Sequence, residues 1–399
     1  MIIKNESYLI LKNLIYYQNQ TFSCSFALLK FAVAKIKPKH RITKPIMDLQ
    51  QRINAFVKLG AFLNQFQKDG YIKNDNVQAN DLFFDGFKHQ IKLAQEHNGW
   101  FTKKNITFAT NNWSNALTNK NINQWLSAYN FNLKTPQTVA IIMAGNIPLV
   151  GFHDFLSVLI SGHHVLVKQS SNDKHLLPFL AKYLEVVEPE FKGKIKFTED
   201  RLENFDAVIA TGSDNTARYF EYYFKNKPSI IRKNRNSVAV LKGNETKEEL
   251  EGLSDDIFRY YGLGCRNVAK FFVPKDYNFD AFFNAVYKWH PIINESKYAN
   301  NYDYNKAVYL MSEFDMLENG FLMIKEDDSY ASPIATLFYE KYNDIAELQE
   351  KLKTDSDKIQ CVVANGFSNN EVAFGETQNP QLWDYADNVD SIDFLLSLS

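Results

Sequence analysis

The stretch TVAIIMAGNIP, residues 138–148, decides the fold class. Its first seven residues are apolar or small, and Gly145, Asn146 and Pro148 follow directly. A short apolar run that is closed by turn-forming residues indicates a buried β-strand ending in a loop. The next segment, Val150 to Ile160, reads as a helix closed by Gly162. The stretch therefore predicts a strand–loop–helix unit.

The same pattern recurs further along the chain. A helix beginning near Asp173 contains Pro178, which predicts a kink or a later start. Strands that alternate with helices of this length predict an α/β fold with a parallel sheet and helices on both faces. Ligands of such sheets bind at the carboxyl ends of the strands. The further predicted elements are strands at Val165–Lys168, Asp206–Ala210 and Ser237–Leu241, and a helix at Asp214–Phe224 that follows the turn Thr211–Ser213.

A second unit is predicted to begin near Lys242. A helix from about Thr246 to Tyr261 leads into the segment Gly262–Asn267, and a strand, Val268–Val273, leaves it. The chain thus divides into helices plus a cofactor domain at 47–241, a catalytic domain at 242–365 and a C-terminal segment at 366–399. Further strand-like runs are Ala307–Met311, Phe321–Ile324, Ile334–Phe338 and Ile359–Ala364.

The first 46 residues differ from the rest in charge. They carry eight Lys or Arg and one acidic residue, Glu6, and an amphipathic helical pattern starts immediately after Met47. We hypothesise that the native start is Met47; a basic targeting arm and a structural extension are the alternatives. Lysines interrupt the best apolar run, Phe22 to Ile36. Because a bilayer span needs roughly 20 apolar residues, stable membrane insertion is not expected.

Composition excludes some classes of function. A net charge of −1 and a pI of about 6.7 give no basic footprint for nucleic acid. The three cysteines, Cys24, Cys265 and Cys361, have no zinc-binding spacing, so no metal is predicted. Their odd number and the lack of a clear secretion signal predict reduced thiols and a cytoplasmic protein. The many Phe and Tyr residues suit an apolar substrate tunnel, but ordinary core packing explains them equally simply.

Cys265 is the strongest candidate for chemistry. Glycines at 262 and 264 allow the backbone to approach a ligand closely, and Arg266 could stabilise a thiolate. The junction between a helix and a strand would also expose the sulfur. Cys361, by contrast, lies inside the apolar run IQCVV and is predicted to be a buried core residue.

Three further turns lie at predicted strand ends. Asn146 is either an ordinary turn residue or an amide donor to a developing oxyanion. Lys168 ends the second strand, where a ligand or solvent could meet it. Thr211-Gly212-Ser213 opens a helix, so it is either a simple N-cap or a phosphate site. The G-x-G-x-x-G fingerprint of dinucleotide sites is absent.

Taken together, these segments resemble the aldehyde dehydrogenase superfamily, and within it the LuxC-type acyl-CoA reductases of bacterial fatty acid reductase complexes. The resemblance is strongest over 138–178, 205–241, 255–274 and 374–395. It implies a Rossmann-like cofactor domain, an α/β catalytic domain and a small oligomerisation element. The C-terminal segment 366–399 would be that element or a return to the cofactor domain. A homo-oligomer, and complexes with acyl-transferring or acyl-activating enzymes, are implied as well.

The resemblance also implies roles for individual residues. It implies NADPH-dependent reduction of a fatty acyl thioester, carried by CoA or acyl carrier protein, to the aldehyde; NADH is the alternative cofactor. The roles are nucleophile for Cys265, oxyanion donor for Asn146, ribose ligand for Lys168, 2′-phosphate contact for Ser170, and contacts to the cofactor phosphates and nicotinamide for Thr211, Gly212 and Ser213.

The sequence departs from typical aldehyde dehydrogenases in one respect that bears on the reaction. Where those enzymes carry a general-base glutamate, this chain has Ile231–Asn236, IRKNRN, without a carboxylate, and the stretch before Pro333 lacks a second expected glutamate. Exchange of one thioester for another needs no activated water, so the departure favours the reductive reaction. A CoA-independent oxidising aldehyde dehydrogenase, a non-catalytic acyl- or nucleotide-binding subunit, and a protein held at a membrane by its basic N-terminus are the alternatives.

Overall fold

Helices precede the first sheet in the described part of the molecule. A computed structural model describes residues 47–67, 70–133 and 135–398; Cys24 and the predicted basic extension, 1–46, lie outside these ranges. Helix α1, Leu49–Leu63, buries Ile53, Phe56 and Leu59, which confirms the predicted amphipathic pattern, and a 3-10 turn continues it to Phe66. The other helices before the first sheet are α2, Asn80–His97; α3, Lys103–Ala116; and α4, Asn119–Leu126.

The first sheet has five parallel strands in the order β3-β2-β1-β4-β5. The chain adds β2 and β3 on one side of β1 and then crosses to the other side, so the strand order reverses between β1 and β4. That reversal opens a crevice at the carboxyl ends of the strands. The strands are β1, Thr138–Ile142; β2, His164–Lys168; β3, Ile195–Phe197; β4, Ala207–Thr211; and β5, Ser229–Arg232, with connecting helices α5, Phe152–Ile160; α6, Leu176–Val187; and α7, Asp214–Phe224.

The second sheet has six strands in the order β11-β6-β7-β10-β9-β8, and all of its pairs are parallel except β8 with β9. Its strands are β6, Asn236–Val240; β7, Val268–Pro274; β8, Met316–Glu318; β9, Met323–Glu326; β10, Thr336–Tyr342; and β11, Ile359–Val363. Its helices are α8, Lys247–Phe258; α9, Asp280–Val286; α10, Ser296–Met311; and α11, Ile345–Thr354, and the chain closes with α12, Ser391–Leu396.

The structure corrects the predicted placement of two segments. The strand predicted at Ser237–Leu241 exists as β6, but it pairs in the second sheet, so the change of sheet falls before the predicted boundary at 241. The domain bounds otherwise stay a prediction. The run Ala307–Met311 is the last part of α10 rather than a strand. Tyr298, Tyr302 and Tyr309, buried at helical spacing, fix that segment as a helix.

The C-terminal segment returns to the first sheet. Ile392 and Leu395 of α12 are fully buried in the same core as residues of β1 and β2. The carbonyl of Leu395 lies 2.8 Å from Nε2 of the buried His163. Across the described ranges, the helices are too short or too polar to cross a membrane.

Candidate active site

The predicted cofactor residues lie together at the carboxyl edge of the first sheet. Lys168 is the last residue of β2 and pairs in register with Ile142 of β1, while Thr211 is the last residue of β4. The backbone N–H of Met143 donates to the carbonyl of Lys168 at 3.0 Å, so the loop after β1 leaves the sheet beside that lysine. Lys168 itself donates to the carbonyl of Asp200 at 3.0 Å.

The loops after β1 and β2 approach each other closely at Gly145. A Cβ atom at this position would lie 2.5 Å from both Cβ and Oγ of Ser170. Only glycine fits there without displacing the neighbouring loop. Ser170 Oγ accepts a hydrogen bond from the backbone of Asn172 at 3.2 Å. The glycine therefore keeps two of the predicted ligand-binding loops in contact.

The turn after β4 opens α7 in the way the sequence predicts. Ser213 is the N-cap, and its Oγ accepts from the backbone N–H of Thr216 at 3.4 Å. The N–H of Gly212 donates to the carbonyl of Arg232, the last residue of β5, at 3.2 Å. A helix that starts at the switch point offers its free N–H groups and the positive end of its dipole to an anion.

The nucleophile loop is shaped by an abrupt end to α8. Tyr260, Tyr261 and Gly262 follow the helix with φ values of 53°, 60° and 76°. Two consecutive non-glycine residues in the left-handed region carry a cost of about 1–3 kcal/mol each, which the surrounding structure must offset. Asn267 provides part of that support: its Oδ1 accepts from Gly264 N at 2.8 Å, and its Nδ2 donates to the carbonyl of Arg259 at 2.8 Å.

One hydrogen bond joins the loop after β1 to the nucleophile loop. Asn146 Nδ2 donates to the carbonyl of Leu263 at 2.6 Å, two residues before Cys265. The structure thus brings the two predicted catalytic residues, Asn146 and Cys265, to neighbouring loops of the two sheets. Lys168 instead donates to the Asp200 carbonyl, and Ser213 Oγ accepts from the Thr216 N–H, both within the first-sheet loops.

The thiol of Cys265 has an environment that opposes ionisation. The residue is exposed, and its carbonyl accepts from the buried Ser237 Oγ at 3.1 Å. The protein surrounding the sulfur nevertheless raises the pKa of the thiol by desolvation, and the carboxylate of Asp387 raises it further. Arg266 and Arg232 act in the opposite direction. The balance of these effects raises the pKa of the Cys265 thiol above its ordinary value, which disfavours the thiolate in the free protein.

Arg266 has a second role that its sequence position did not reveal. Its guanidinium lowers the pKa of Cys265, as expected, but its hydrogen bonds go elsewhere. One N–H lies 3.3 Å from Cys361 Sγ and another donates to the carbonyl of Asp384 at 2.8 Å. Cys361 is buried in β11, as the apolar run predicts. Arg266 therefore connects the nucleophile loop to β11 and to the C-terminal segment.

Two ion pairs contain residues to which sequence reasoning gave no role, and the charges of Arg232 and Asp387 act on the pKa of Cys265. Arg232 forms a buried ion pair with Asp154 and donates to Ser391 Oγ at 3.0 Å. Arg235 Nε lies 3.3 Å from Asp387 Oδ1. Arg232 and Arg235 belong to the stretch that was notable only for its missing glutamate. Their acidic partners lie far away in sequence, so no local pattern predicts the pairs.

The chain resembles known proteins both in sequence and in fold. Residues 117–282, which include Asn146 and Cys265, match the family model described as "Acyl-CoA reductase (LuxC)". Aldehyde dehydrogenase 21 from Physcomitrella patens, solved with its reaction product succinate, has a TM-score of 0.61 at 11% identity, over 88% of this chain and 84% of that one. No curated protein gives a significant sequence match.

Two NAD⁺ complexes share the fold. P. syringae indole-3-acetaldehyde dehydrogenase AldA, a cysteine-to-alanine mutant with NAD⁺ and IAA, has a TM-score of 0.55 at 11% identity, over 80% of this chain and 72% of that one. An aldehyde dehydrogenase from Bacillus cereus with NAD⁺ has a TM-score of 0.53 at 13% identity, with the same coverages. At such low identity these likenesses establish the fold alone.

The chain has the fold of the aldehyde dehydrogenases, and this fold together with the family match supports an oxidoreductase that acts on aldehyde or acyl groups. The segment that matches the LuxC acyl-CoA reductase model, 117–282, spans the first sheet and the nucleophile loop.

Proposed function

We propose that this protein reduces a fatty acyl thioester, carried by CoA or acyl carrier protein, to the aldehyde through an acyl-enzyme on Cys265, with NADPH as the reductant. The observation that carries the proposal is the hydrogen bond of Asn146 to Leu263. It puts an exposed amide beside the loop of an exposed cysteine. A nucleophile and an oxyanion donor on adjoining loops are the parts that acyl transfer requires.

The residues at the first-sheet edge fit a nicotinamide dinucleotide. Lys168 uses one of its three donors on Asp200, which leaves two for the hydroxyls of a ribose. Ser170 would meet a 2′-phosphate, and the turn Thr211-Gly212-Ser213 would meet the phosphates at the start of α7. When bound, the reduced dinucleotide supplies the hydride. The preference for NADPH over NADH depends on Ser170 and on the family resemblance.

The protein's own residues then account for acyl transfer. Cys265 Sγ loses its thiol proton as it attacks the thioester carbon, and the bond from that carbon to the carrier sulfur then breaks, so that the carrier takes up a proton and leaves as the thiol. One N–H of the Asn146 amide is used by Leu263, and the second remains available to the oxyanion, together with the backbone N–H of Cys265. The Asn146–Leu263 bond also fixes the distance between the two loops. In the later step Cys265 is released as the aldehyde forms.

The end of β5 supports the reductive direction. Superfamily members that hydrolyse the acyl-enzyme carry a general-base glutamate in the corresponding stretch, whereas Ile231–Asn236, which includes Arg232, has no carboxylate here. Arg232 is 6% exposed and is paired with Asp154, whose carboxylate is thereby engaged. A cationic side chain in that position cannot deprotonate water. The lack of a carboxylate base in this stretch therefore favours the transfer of hydride to the acyl carbon over attack by hydroxide.

An acylation assay tests the proposal directly. The purified protein is incubated with fatty acyl-CoA of several chain lengths without nucleotide, and the acylated residue is mapped by mass spectrometry. We expect the acyl group on Cys265, complete loss of labelling in Cys265→Ala, and retained labelling in Cys361→Ala. Addition of NADPH should discharge the label as aldehyde, which a carbonyl reagent traps.

Several outcomes would contradict the proposal. Labelling retained in Cys265→Ala would remove this residue as the nucleophile. Aldehyde oxidation at a comparable rate without CoA would assign the protein to the oxidising enzymes. Three predictions from the sequence remain: a homo-oligomer, acyl-activating partners and a cytoplasmic location. Light scattering tests for the oligomer, and affinity purification from the native host tests for the partners.

A further inference from the structure

We propose that Ser237 and Asn267 are positioning residues of this active site: they hold the two peptide groups on either side of Cys265 and so direct its N–H toward the oxyanion of the bound thioester. The inference rests on the proposed function and adds two buried residues to its acyl-transfer step. Both residues act through the backbone of Cys265 rather than on the acyl group itself.

The peptide group before Cys265 is held by Asn267. The carbonyl of Gly264 accepts from the backbone N–H of Asn267 at 3.0 Å, and the N–H of Gly264 donates to Oδ1 of the same residue at 2.8 Å. In a trans peptide, the C=O of one residue and the N–H of the next point in opposite directions. Because the Gly264 carbonyl points toward Asn267, the N–H of Cys265 points away from it.

The peptide group after Cys265 is held by Ser237. This residue lies in β6, its side chain is fully buried, and its Oγ donates to the carbonyl of Cys265 at 3.1 Å. A serine hydroxyl has one hydrogen to donate, and this carbonyl receives it. With both flanking peptide groups held, the φ and ψ angles of Cys265 are fixed as well. Its Cα–Cβ bond and its N–H therefore keep one orientation relative to each other.

The N–H of Cys265 remains available to a ligand. Neighbouring N–H groups of the loop are engaged: that of Leu263 donates to the carbonyl of Tyr260 at 3.2 Å, and those of Gly264 and Asn267 bond within the loop. Within the described ranges, no protein group accepts from the N–H of Cys265. A fixed, unpaired N–H on the nucleophile residue itself is suited to stabilise the oxyanion that forms there.

Asn267 is anchored in turn to the end of α8. Its Nδ2 lies 2.9, 3.2 and 2.8 Å from the carbonyl oxygens of Asp256, Ile257 and Arg259, and the residue is 2% exposed. The last carbonyls of a helix have no partner within the helix, so this amide caps α8. A buried amide that is paired at both ends cannot turn without leaving polar groups unsatisfied. The helix end and the nucleophile loop are therefore held as one unit.

Glycine at position 264 fits this arrangement. A Cβ atom there would lie only 3.0 Å from Oδ1 of Asn267 and 3.6 Å from Cδ1 of Ile147. The preceding residue, Leu263, accepts through its carbonyl from Asn146, the other proposed oxyanion donor. Asn146 and Asn267 thus hold adjacent residues of the same loop. Both donors of the proposed oxyanion site are in this way fixed to one short backbone segment.

Acylation and alkylation of the same thiol separate this positioning role from a purely structural one. Acyl transfer passes through an oxyanion, whereas alkylation by iodoacetamide displaces iodide and forms none. Ser237→Ala should slow single-turnover acylation by acyl-CoA by about 10- to 100-fold, because small misplacements of reacting groups have effects of this size. Alkylation of Cys265, mapped by mass spectrometry, should stay within about threefold of wild type. Ser237→Thr, which keeps the hydroxyl, should recover most of the acylation rate.

Two further variants test whether the effect belongs to this loop. Ser254, in α8, is as fully buried as Ser237 and donates to the carbonyl of Glu251 at 2.6 Å. Ser254→Ala therefore removes a comparable hydrogen bond elsewhere and should acylate like wild type. Asn267→Ala should show the same selective loss of acylation as Ser237→Ala, which alone suffices for the test if the asparagine variant does not fold.

Two results would overturn the inference. One is acylation of Ser237→Ala within about threefold of wild type. The other is a loss of alkylation in parallel with acylation, which would show that the thiol as a whole is disturbed. A wild-type protein that is alkylated at Cys265 but never acylated would refute the proposed function, and the inference with it.

Discussion

At the scale of single residues, the side-chain amide of Asn146 has two N–H groups, and each has a different role: one joins two loops and the other can bind a ligand. One is committed to the carbonyl of Leu263 at 2.6 Å, and the residue is exposed, so the second is free to meet a ligand. The committed bond positions the free one relative to Cys265. A serine or alanine at this position would lose both the loop contact and the oxyanion donor.

Asn146→Ala should therefore lower single-turnover acylation by about 10²–10³-fold, the usual cost of removing one oxyanion donor. Nicotinamide binding, followed by fluorescence titration, should change little, because the described contacts of Lys168 and Ser213 lie on other loops. Asn132→Ala, an exposed amide in the connection before β1, is the matched control. An Asn146→Ala protein that acylates at the wild-type rate would exclude the residue as the donor.

At the scale of secondary-structure elements, the buried Asp256 of α8 anchors the C-terminal segment. Its carboxylate accepts from Gly375 N at 2.7 Å, Thr377 N at 3.0 Å and Thr377 Oγ1 at 2.7 Å. Gly252 lies so near that a Cβ there would approach the carbonyl of Phe374 to 2.9 Å. The helix that leads to Cys265 and the segment that carries Asp387 are thus fixed to each other.

Asp256→Ala should destabilise the protein by about 2–4 kcal/mol, because buried donors that lose their acceptor cost about 1–3 kcal/mol each. Amide hydrogen exchange should rise at residues 374–377, where the backbone N–H groups lose their acceptor. Asp255→Ala, at the neighbouring half-exposed carboxylate, should cost less than about 1 kcal/mol in urea unfolding. Equal losses of unfolding free energy in the two variants would show that the hydrogen bonds of Asp256 stabilise the protein no more than an exposed carboxylate does.

The same scale shows what sequence can and cannot predict here. The strands β1, β2 and β4 are apolar runs closed by turn residues, and the helix α7 was predicted with its observed bounds. The strands β3 and β5 were missed, since three or four residues are too few to show a period. The sequence also did not predict that β6 belongs to the second sheet, because parallel pairing joins strands that are distant in sequence.

The site shows the same division. Cys265, Asn146 and the turn Thr211–Ser213 were predicted because local glycines and strand ends mark them. Asp387 and the pair of Arg232 with Asp154 depend on the return of the C-terminal segment to the first sheet. Nothing adjacent in the chain marks Asp387 as the ion-pair partner of Arg235. Tertiary contact alone distinguishes it from the other aspartates of that segment.

At the scale of the whole molecule, buried carboxyl groups couple the site to stability. Asp173 is 8% exposed; one oxygen accepts from the backbone N–H of Leu149 at 3.1 Å, and Oδ1 has no described partner. Leu149 is itself in the left-handed region, with φ of 59°. The contact holds the loop that follows Asn146 against the loop after β2. Burial raises the pKa of Asp173 to about 6.

The raised pKa of Asp173 determines how its contribution to the free energy of unfolding changes with pH. A carboxyl group with a folded pKa of about 6 and an unfolded value near 3.8 holds its proton more tightly in the folded state. Its contribution to the free energy of unfolding is therefore greatest below pH 4 and is lost as the pH rises through 6. Two pKa units correspond to about 3 kcal/mol at most. Other carboxylates act in the opposite direction, so only a difference between variants isolates this one.

Asp173→Asn should remove the dependence, since an amide does not titrate in this range. Relative to the variant, wild type should lose about 3 kcal/mol of unfolding free energy between pH 4 and pH 7 in urea titrations. The exposed Asp75→Asn should instead give a curve parallel to wild type. If Asp173→Asn also runs parallel, the carboxyl group is charged and solvated in the folded protein. The hydrogen bond from the Leu149 N–H, which holds the loop that presents Asn146, would then be accepted by a charged carboxylate of Asp173 rather than by a neutral carboxyl group.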